Sequence, residues 1–355
     1  MVRRKTRTVS VGDVSVGSEH PVVVQSMTCT DTDDALATVR QIEALTEAGC
    51  EIIRVTVDTD AAADALPKIL SAATIPVVAD IHFTHRLALR AIEAGVDKVR
   101  INPGNIGSEA RVREVVSAAK AAGIAMRIGV NSGSVEKDLL EKYGYPSPEA
   151  LVESALRHCE TISDMGFNNY VVSLKSTDTQ TVVAANRLFA AQNDIPLHLG
   201  VTEAGRPGYG TIKSAAGLSP LLLEGIGDTI RVSLTGDPLP EISAAFDILK
   251  ATGARVTGPE LISCPTCGRI DIDLEALMTE LEARLDGVTV PVKIAVLGCV
   301  VNGPGEAQEA DIGIAGGGGK GILYRDGKQK RIVPESDMVD ALLEEIEDFK
   351  LSNAQ

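Results

Sequence analysis

Three of the six cysteines stand close together in the chain, in C-P-T-C-G-R (Cys264, Cys267) and in G-C-V-V-N-G-P-G-E (Cys299). A C-x-x-C on a proline-containing turn aims two thiolates at one point, which is how many metal sites begin. Three cysteines do not complete a tetrahedral site, and zinc would want a fourth Cys or a His. The five histidines and the other cysteines (Cys29, Cys50, Cys159) all lie far upstream. Locally only oxygen ligands remain, and Glu306 follows Cys299 on a Gly-Pro-Gly turn that can bring its carboxylate to a metal. Iron–sulfur clusters normally take four thiolates, so three would leave one iron to a weaker, displaceable oxygen ligand. The spacing therefore places an iron–sulfur cluster ahead of structural zinc, with a redox dithiol third. Ordinary packing is the expectation for Cys29, Cys50 and Cys159.

A second group of chemically able residues is spread along the first 250 positions. Short β-branched runs end in Arg54, Asp80 and His82, Arg100 and Asn102, Arg127 and Asn131, Ser173 and Lys175, His198 and Glu203, and Arg231 and Ser233. Charge inside a strand is costly to bury without a partner. Four arginines and a lysine at corresponding strand positions, with only Asp80 and Glu203 as strand-end acids, predict a cage for a polyanion. Arginine suits phosphate through its bidentate fork, and lysine adds a compact charge. The histidines and Asn102 are weaker candidates, since a histidine on an apolar strand usually serves packing.

The elements that must carry these residues repeat from about residue 21: a short apolar run, a polar or glycine-bearing loop, then an Ala/Leu-rich stretch. The helical stretches fall at 34–48, 60–72, 85–94, 108–122, 148–165, 179–192, 211–224 and 238–251. Eight such units in this length predict a (β/α)8 TIM barrel, whose reacting groups gather at the C-terminal ends of the strands. A doubly wound sheet is the alternative, but no G-x-G-x-x-G follows the first strand. The Gly/Pro-bearing segment A-T-G-A-R-V-T-G-P-E divides the chain into a barrel, 1–252, and a smaller α+β domain, 253–355. In the second domain a helix is expected at 273–285 and a hairpin turning on Asp326-Gly327, with a final helix near 335–350. G-G-G-G-K lacks the fixed spacing of a phosphate loop and is expected to be a flexible turn.

Both stretches resemble the family of 4-hydroxy-3-methylbut-2-enyl diphosphate synthases, the iron–sulfur enzymes of the non-mevalonate isoprenoid pathway. C-P-T-C-G-R and N-G-P-G-E are similar to its cluster signature; R-V-T-V, V-R-I-N-P-G-N, R-I-G-V-N-S-G, S-L-K-S, T-E-A-G and R-V-S-L are similar to its strand motifs. The resemblance spans nearly the whole chain and implies a barrel fold. It implies a 4Fe–4S cluster held by Cys264, Cys267, Cys299 and Glu306. It implies a diphosphate held by Arg54, Arg100, Arg127, Lys175, Arg231 and Ser233, and a reacting centre lined by Asp80, Asn131 and Glu203. The reaction implied is reductive opening of 2-C-methyl-D-erythritol 2,4-cyclodiphosphate, with electrons from reduced flavodoxin or ferredoxin. Some relatives carry an extra domain between barrel and cluster domain, for which the segment after Lys250 leaves no room. A class I aldolase with Schiff-base Lys175 and a zinc-stapled appendage is the rival reading.

Composition bounds the remaining possibilities. The chain has 355 residues, 44% hydrophobic but 3% aromatic, without tryptophan, so its cores are built from Val, Ile, Leu and Ala. At 355 residues two domains are expected. Thirty-four Lys and Arg against 49 Asp and Glu give a net charge of −15, which argues against nucleic acid or an anionic membrane as partner. The N-terminus M-V-R-R-K-T-R lacks the apolar region of a secretory signal, and no stretch is long enough to span a membrane, so a cytoplasmic protein is expected. The helix ending near Lys250 returns the chain to the face opposite the reacting groups. From there the connecting segment reaches at most about 35 Å. A homodimer in which the cluster domain of one chain caps the barrel of the other satisfies that limit, and the resemblance implies the same arrangement.

Overall fold

The computed structural model describes residues 2–353, in two compact units that divide between Arg255 and Val256. The first begins with an antiparallel hairpin, β1 (Val9–Val11) and β2 (Val14–Val16). Eight parallel strands follow: β3 (Val23–Met27), β4 (Ile52–Thr56), β5 (Val77–Ile81), β6 (Lys98–Ile101), β7 (Ala125–Asn131), β8 (Tyr170–Lys175), β9 (His198–Leu199) and β10 (Thr229–Ile230). They neighbour one another in chain order, and β10 pairs with β3. A parallel bridge from Val172 to Leu197 joins β8 to the residue before β9, which closes the ring. The helices between and after them are α1 (Ala35–Glu47), α2 (Asp60–Ala72), α3 (His85–Ala94), α4 (Pro103–Ile106), α5 (Glu109–Ala122), α6 (Lys137–Tyr143), α7 (Pro148–Ser163), α8 (Thr179–Ala190), α9 (Tyr209–Leu223) and α10 (Leu239–Ala251). The eight strand–helix units expected from the sequence are present, and the fold is a (β/α)8 barrel.

Local chemistry explains the elements. A parallel strand covered by helices is buried on both faces and reads as a continuous apolar run. Ile52, Ile53 and Val55 of β4 and Val78, Ala79 and Ile81 of β5 are accordingly fully buried. Asp34, Thr59, Ser147 and Asp178 begin α1, α2, α7 and α8, each side chain accepting from the backbone N–H three residues on. Such caps contribute about 1 kcal/mol apiece.

The hairpin β1–β2 is an element the sequence reading did not include. Val9, Val11 and Val16 pack against Val23, Ile52, Val78, Ala125 and Val171, at or beside the first residues of five barrel strands. They plug the N-terminal end of the barrel. The basic N-terminal segment is structural here: Arg3 pairs with Asp228 at 2.9 Å, and Arg4 donates to the Asn193 carbonyl at 2.7 Å. What lies open is the C-terminal end.

The second unit contains β11 (Glu260–Ser263), α11 (Leu274–Arg284), β12 (Lys293–Leu297), α12 (Gly303–Gln308), β13 (Ile312–Gly317), β14 (Lys320–Arg325), β15 (Lys328–Pro334) and α13 (Met338–Asn353). The strands lie in chain order, β11 to β13 parallel and the last two antiparallel. Leu277 and Leu281 of α11 and Leu342 and Ile346 of α13 cover Ile294, Val296 and Ile314 on one face. Ala307 of α12 packs on Ala295, Leu297 and Ala315 on the other. Asp326 and Gly327, both at positive φ, make the expected turn of the last hairpin. The glycine run does contain a turn, shorter than the run itself. Gly316 and Gly317 extend β13, and Gly318 and Gly319 alone form a tight reversal at φ +62° and +69°. Among the described residues no helix is long and apolar enough to cross a membrane.

Candidate functional site

The inward-facing strand ends bring cations together at the open end of the barrel. Arg54, Asp80, Arg100, Arg127 and Lys175 are all at most 8% exposed. Strand register places Asp80 beside Arg100 and Arg100 beside Arg127. Asp80 accepts from Arg100 Nη1 at 2.8 Å and pairs with Arg54 Nε at 3.4 Å. Burial pushes the Asp80 carboxyl up, but Arg54, Arg100 and Arg127 outweigh it and hold it well below the usual carboxylate range. Two glycines leave the cations room. A Cβ on Gly129 would stand 2.8 Å from Arg100 Nε, and one on Gly200 2.6 Å from Lys175 Nζ.

Positive charge exceeds negative inside this end. Burial first, then Arg54 and Arg100, pulls the Arg127 guanidinium well below its ordinary value. Burial, then Arg127 and Arg54, does the same to Lys175. Buried Arg127 Nε and Nη1 and Arg100 Nε have no hydrogen-bond partner among the described residues. An arginine keeps its proton, so such a group gains most from an added anion that supplies both charge and acceptors.

The sequence count of acids at this site needs a correction. It admitted two, Asp80 and Glu203, but Arg231 has its own buried carboxylate. Glu241, on the first turn of α10, meets Arg231 Nε at 3.1 Å and Nη2 at 3.2 Å. A helix residue ten positions on gave no strand-end signal. The sequence also missed Lys98, 1% exposed, whose ammonium falls to about 7 through burial and then Arg127. Its parity with Arg100, two residues on in β6, was the available signal. His198 lies inside the barrel: Nε2 is 3.1 Å from Lys175 Nζ, and Nδ1 is 2.6 Å from Thr229 Oγ1. Burial, then Lys175, keeps it neutral, so its place is support beneath Lys175.

A cleft of about 450 Å³ opens above this layer, its lining including His82, Arg100, Asn102, Asn131, Thr177 and Glu203. Arg100, Asn131 and Glu203 of the predicted set thus reach the cleft; Asp80 faces the arginines beneath it. Ser233 is half-buried, two residues past Arg231. Asn102 donates to Ser134 Oγ at 2.6 Å and caps α4. Glu203 is exposed and holds φ +53°, a left-handed conformation that costs a non-glycine residue of order 1–3 kcal/mol. Its side chain forms part of the cleft wall, four residues past the end of β9.

In the second unit Cys264 follows β11 and Cys299 follows β12, and these strands are adjacent and parallel. Glu306 sits in the first turn of α12. Cys264, Cys267, Cys299 and Glu306 line one cavity of about 200 Å³, with Arg269 and Asn302. The Arg269 backbone N–H, then its side chain, lowers the Cys267 thiol. The backbone N–H groups of Asn302 and Val301 lower Cys299, and Gly298 N donates to Cys264 Sγ at 3.3 Å. Thiolate ligands are what such surroundings favour. Among the described residues no three Cys, His, Asp or Glu side chains converge closely enough to share a single metal ion; the four donors surround a space instead. The remaining cysteines divide. Burial pushes Cys50 and Cys159 to about 12, as inert packing thiols. Cys29 is exposed rather than packed, its sulfur 3.1 Å from Gln41 Nε2.

Two family descriptions match the chain, the GcpE TIM-barrel domain over residues 6–246 and the GcpE protein C-terminal domain over residues 260–348. A protein of Geobacter sulfurreducens is 55% identical over 346 residues, covering 98% of each chain. One of Aquifex aeolicus is 54% identical over 348 residues, again covering 98% of each. Both are named 4-hydroxy-3-methylbut-2-en-1-yl diphosphate synthase (flavodoxin). Among solved structures, dihydropteroate synthase of Stenotrophomonas maltophilia aligns with a TM-score of 0.52 at 14% identity, over 70% of this chain and 98% of that one. That likeness is one of fold.

Proposed function

The chain belongs to the GcpE family, and from that membership we propose that it forms 4-hydroxy-3-methylbut-2-enyl diphosphate by reductive opening of 2-C-methyl-D-erythritol 2,4-cyclodiphosphate. Two electrons and two protons enter; one ring C–O bond to phosphate breaks, a C–C double bond forms, and one water leaves. The observation that carries this reading is the pairing of an under-neutralised cation layer with a four-donor cavity in the same chain. Family membership does not favour the aldolase alternative.

Arg54, Arg100, Arg127, Lys175, Arg231 and Ser233 hold the diphosphate in this reading. The convergence of the four arginines and Lys175 fixes the substrate's position, and fixed geometry is a large part of catalysis. Asp80 orients Arg54 and Arg100 and limits their mutual repulsion. Asn131 and Glu203 face the organic part of the substrate, and Glu203 gives a proton to the departing hydroxyl oxygen. Cys264, Cys267, Cys299 and Glu306 fit a 4Fe–4S cluster. Zinc draws its ligands to a centre about 2.0–2.3 Å away, whereas donors set around a cavity suit a polynuclear body. When bound, the cluster would supply the two electrons one at a time, from reduced flavodoxin or ferredoxin, and Lewis acidity toward the substrate oxygen. Anaerobically isolated protein is expected to contain iron and acid-labile sulfide, to absorb in the visible, and to turn over the cyclic diphosphate with reduced flavodoxin. Stoichiometric zinc without iron would overturn the cluster reading.

Arg127 gives the direct test of the anion site. Arg127→Ala is expected to weaken substrate binding by about 2–5 kcal/mol, the scale for removing one partner of a desolvated charge pair. Iron content is expected to stay unchanged. Normal affinity in this variant and in the Arg54, Arg100, Lys175 and Arg231 counterparts would exclude the cage.

The same reading includes a homodimer in which one chain's cluster serves the other's barrel. Arg255 supports it: Nη1 donates to the Val22 carbonyl at 2.9 Å, and the guanidinium pairs with Glu51 at 2.7 Å. Both partners lie at strand beginnings, on the face opposite the cleft. Mixing a Cys264→Ser chain with a Glu203→Gln chain, with subunit exchange, is expected to restore activity, because the intact barrel then meets the intact cluster only across chains. Verified heterodimers without activity would mean that each chain serves itself.

A further inference from the structure

Glu241 makes four contacts at the edge of the cation layer while lying 2% exposed. Its Oε2 accepts from Ser26 Oγ at 2.9 Å and Arg231 Nε at 3.1 Å; its Oε1 accepts from Arg231 Nη2 at 3.2 Å and the Leu234 backbone N–H at 3.0 Å. A carboxylate has about four lone-pair sites, so this one is saturated and cannot swing. The bidentate grip takes one edge of the Arg231 guanidinium and leaves the other, Nη1, directed at Met27 Sδ, 3.4 Å away. Arg54 reaches the same sulfur, through Nε at 3.1 Å and Nη2 at 2.9 Å. Two guanidiniums thus share a thioether, a weak acceptor, where a phosphate oxygen would be a strong one. The bond to Leu234 N also pins the residue next to Ser233.

We propose that Glu241 is the positioning residue of the anion site, setting the free edge of Arg231 and the turn carrying Ser233 so that both address one phosphate group. The proposal rests on the diphosphate reading above. It places a positioning role on a helix residue, seven positions past the R-V-S-L strand motif. Neutralising a carboxylate near an anion site would, by charge alone, tighten anion binding. Loss of orientation acts in the opposite direction, so the sign of the effect separates the two roles.

The experiment is calorimetric titration of inorganic pyrophosphate into the full-length protein, comparing wild type with Glu241→Gln, Arg231→Ala and the double variant. Wild type is expected to bind, and Glu241→Gln to bind about tenfold more weakly, the loss for one misaligned charge-assisted contact. The double variant is expected to lose less than the sum of the two single losses, because Glu241 acts largely through Arg231 and only in part through the turn carrying Ser233. Unchanged or tighter binding by Glu241→Gln, or additive losses in the double variant, overturns the proposal. Absence of binding by wild type overturns the diphosphate reading instead. Should Glu241→Gln fail to fold, Glu241→Asp keeps the charge but withdraws it by one methylene. Its expected signature is a raised KM with kcat retained, and wild-type KM in this variant likewise overturns the proposal.

Discussion

Cys299→Ser is expected to abolish cluster binding and turnover together. Cys299 leaves β12 at the point where the backbone N–H groups of the following turn face its sulfur, and that turn runs directly into the helix carrying Glu306. A serine oxygen keeps the size of the group but is a hard, protonated donor, poorly matched to iron that thiolates normally hold. Cys264 and Cys267 lie at the same cavity, so their serine variants are expected to behave alike. Glu306→Ala should differ. It removes one oxygen ligand while three thiolates remain, so part of the iron and visible absorption should survive while turnover is lost. Iron and sulfide analysis with absorption spectra, made anaerobically, checks both. A Cys299→Ser protein with full iron content and full turnover would remove this cysteine from the site.

Glu203→Gln is expected to lower kcat by roughly 10²–10⁴, the usual contribution of a general acid or base. Glutamine keeps the shape and hydrogen-bonding reach of glutamate but has no proton of comparable acidity to give. The cations beneath the cleft carry the binding in our reading, and Glu203 is not among them, so KM should change little. The left-handed backbone at this position does not depend on the charge of the side chain, and the variant should fold normally. Single-turnover kinetics under reducing conditions separates proton delivery from electron supply. Near-wild-type kcat would exclude the role and leave Glu203 as a lining residue.

By itself the sequence determined the barrel, its helices and the grouping of Cys264, Cys267, Cys299 and Glu306 in the second unit, where all four line one cavity. Parallel strands buried on both faces are written as mostly apolar runs, so Ile52–Thr56 and Val77–Ile81 announce themselves, with Arg54 and Asp80 standing out as the charged interruptions. Cap residues fix where helices begin, and Asp326-Gly327 can hardly be anything other than a turn. C-x-x-C is legible because its geometry is local. What the tertiary structure decided was everything that depends on which side chains meet across strands. Glu241 reaches Arg231 because α10 lies against β3, and nothing in the spacing of the strand motifs announces that contact. Lys98 joins the cations, and His198 settles beneath Lys175, because each faces into the barrel beside a neighbouring strand. The valines of β1 and β2 find their role as a plug only once five strand ends surround them. Local periodicity records whether a residue is buried; only the closed ring decides against what.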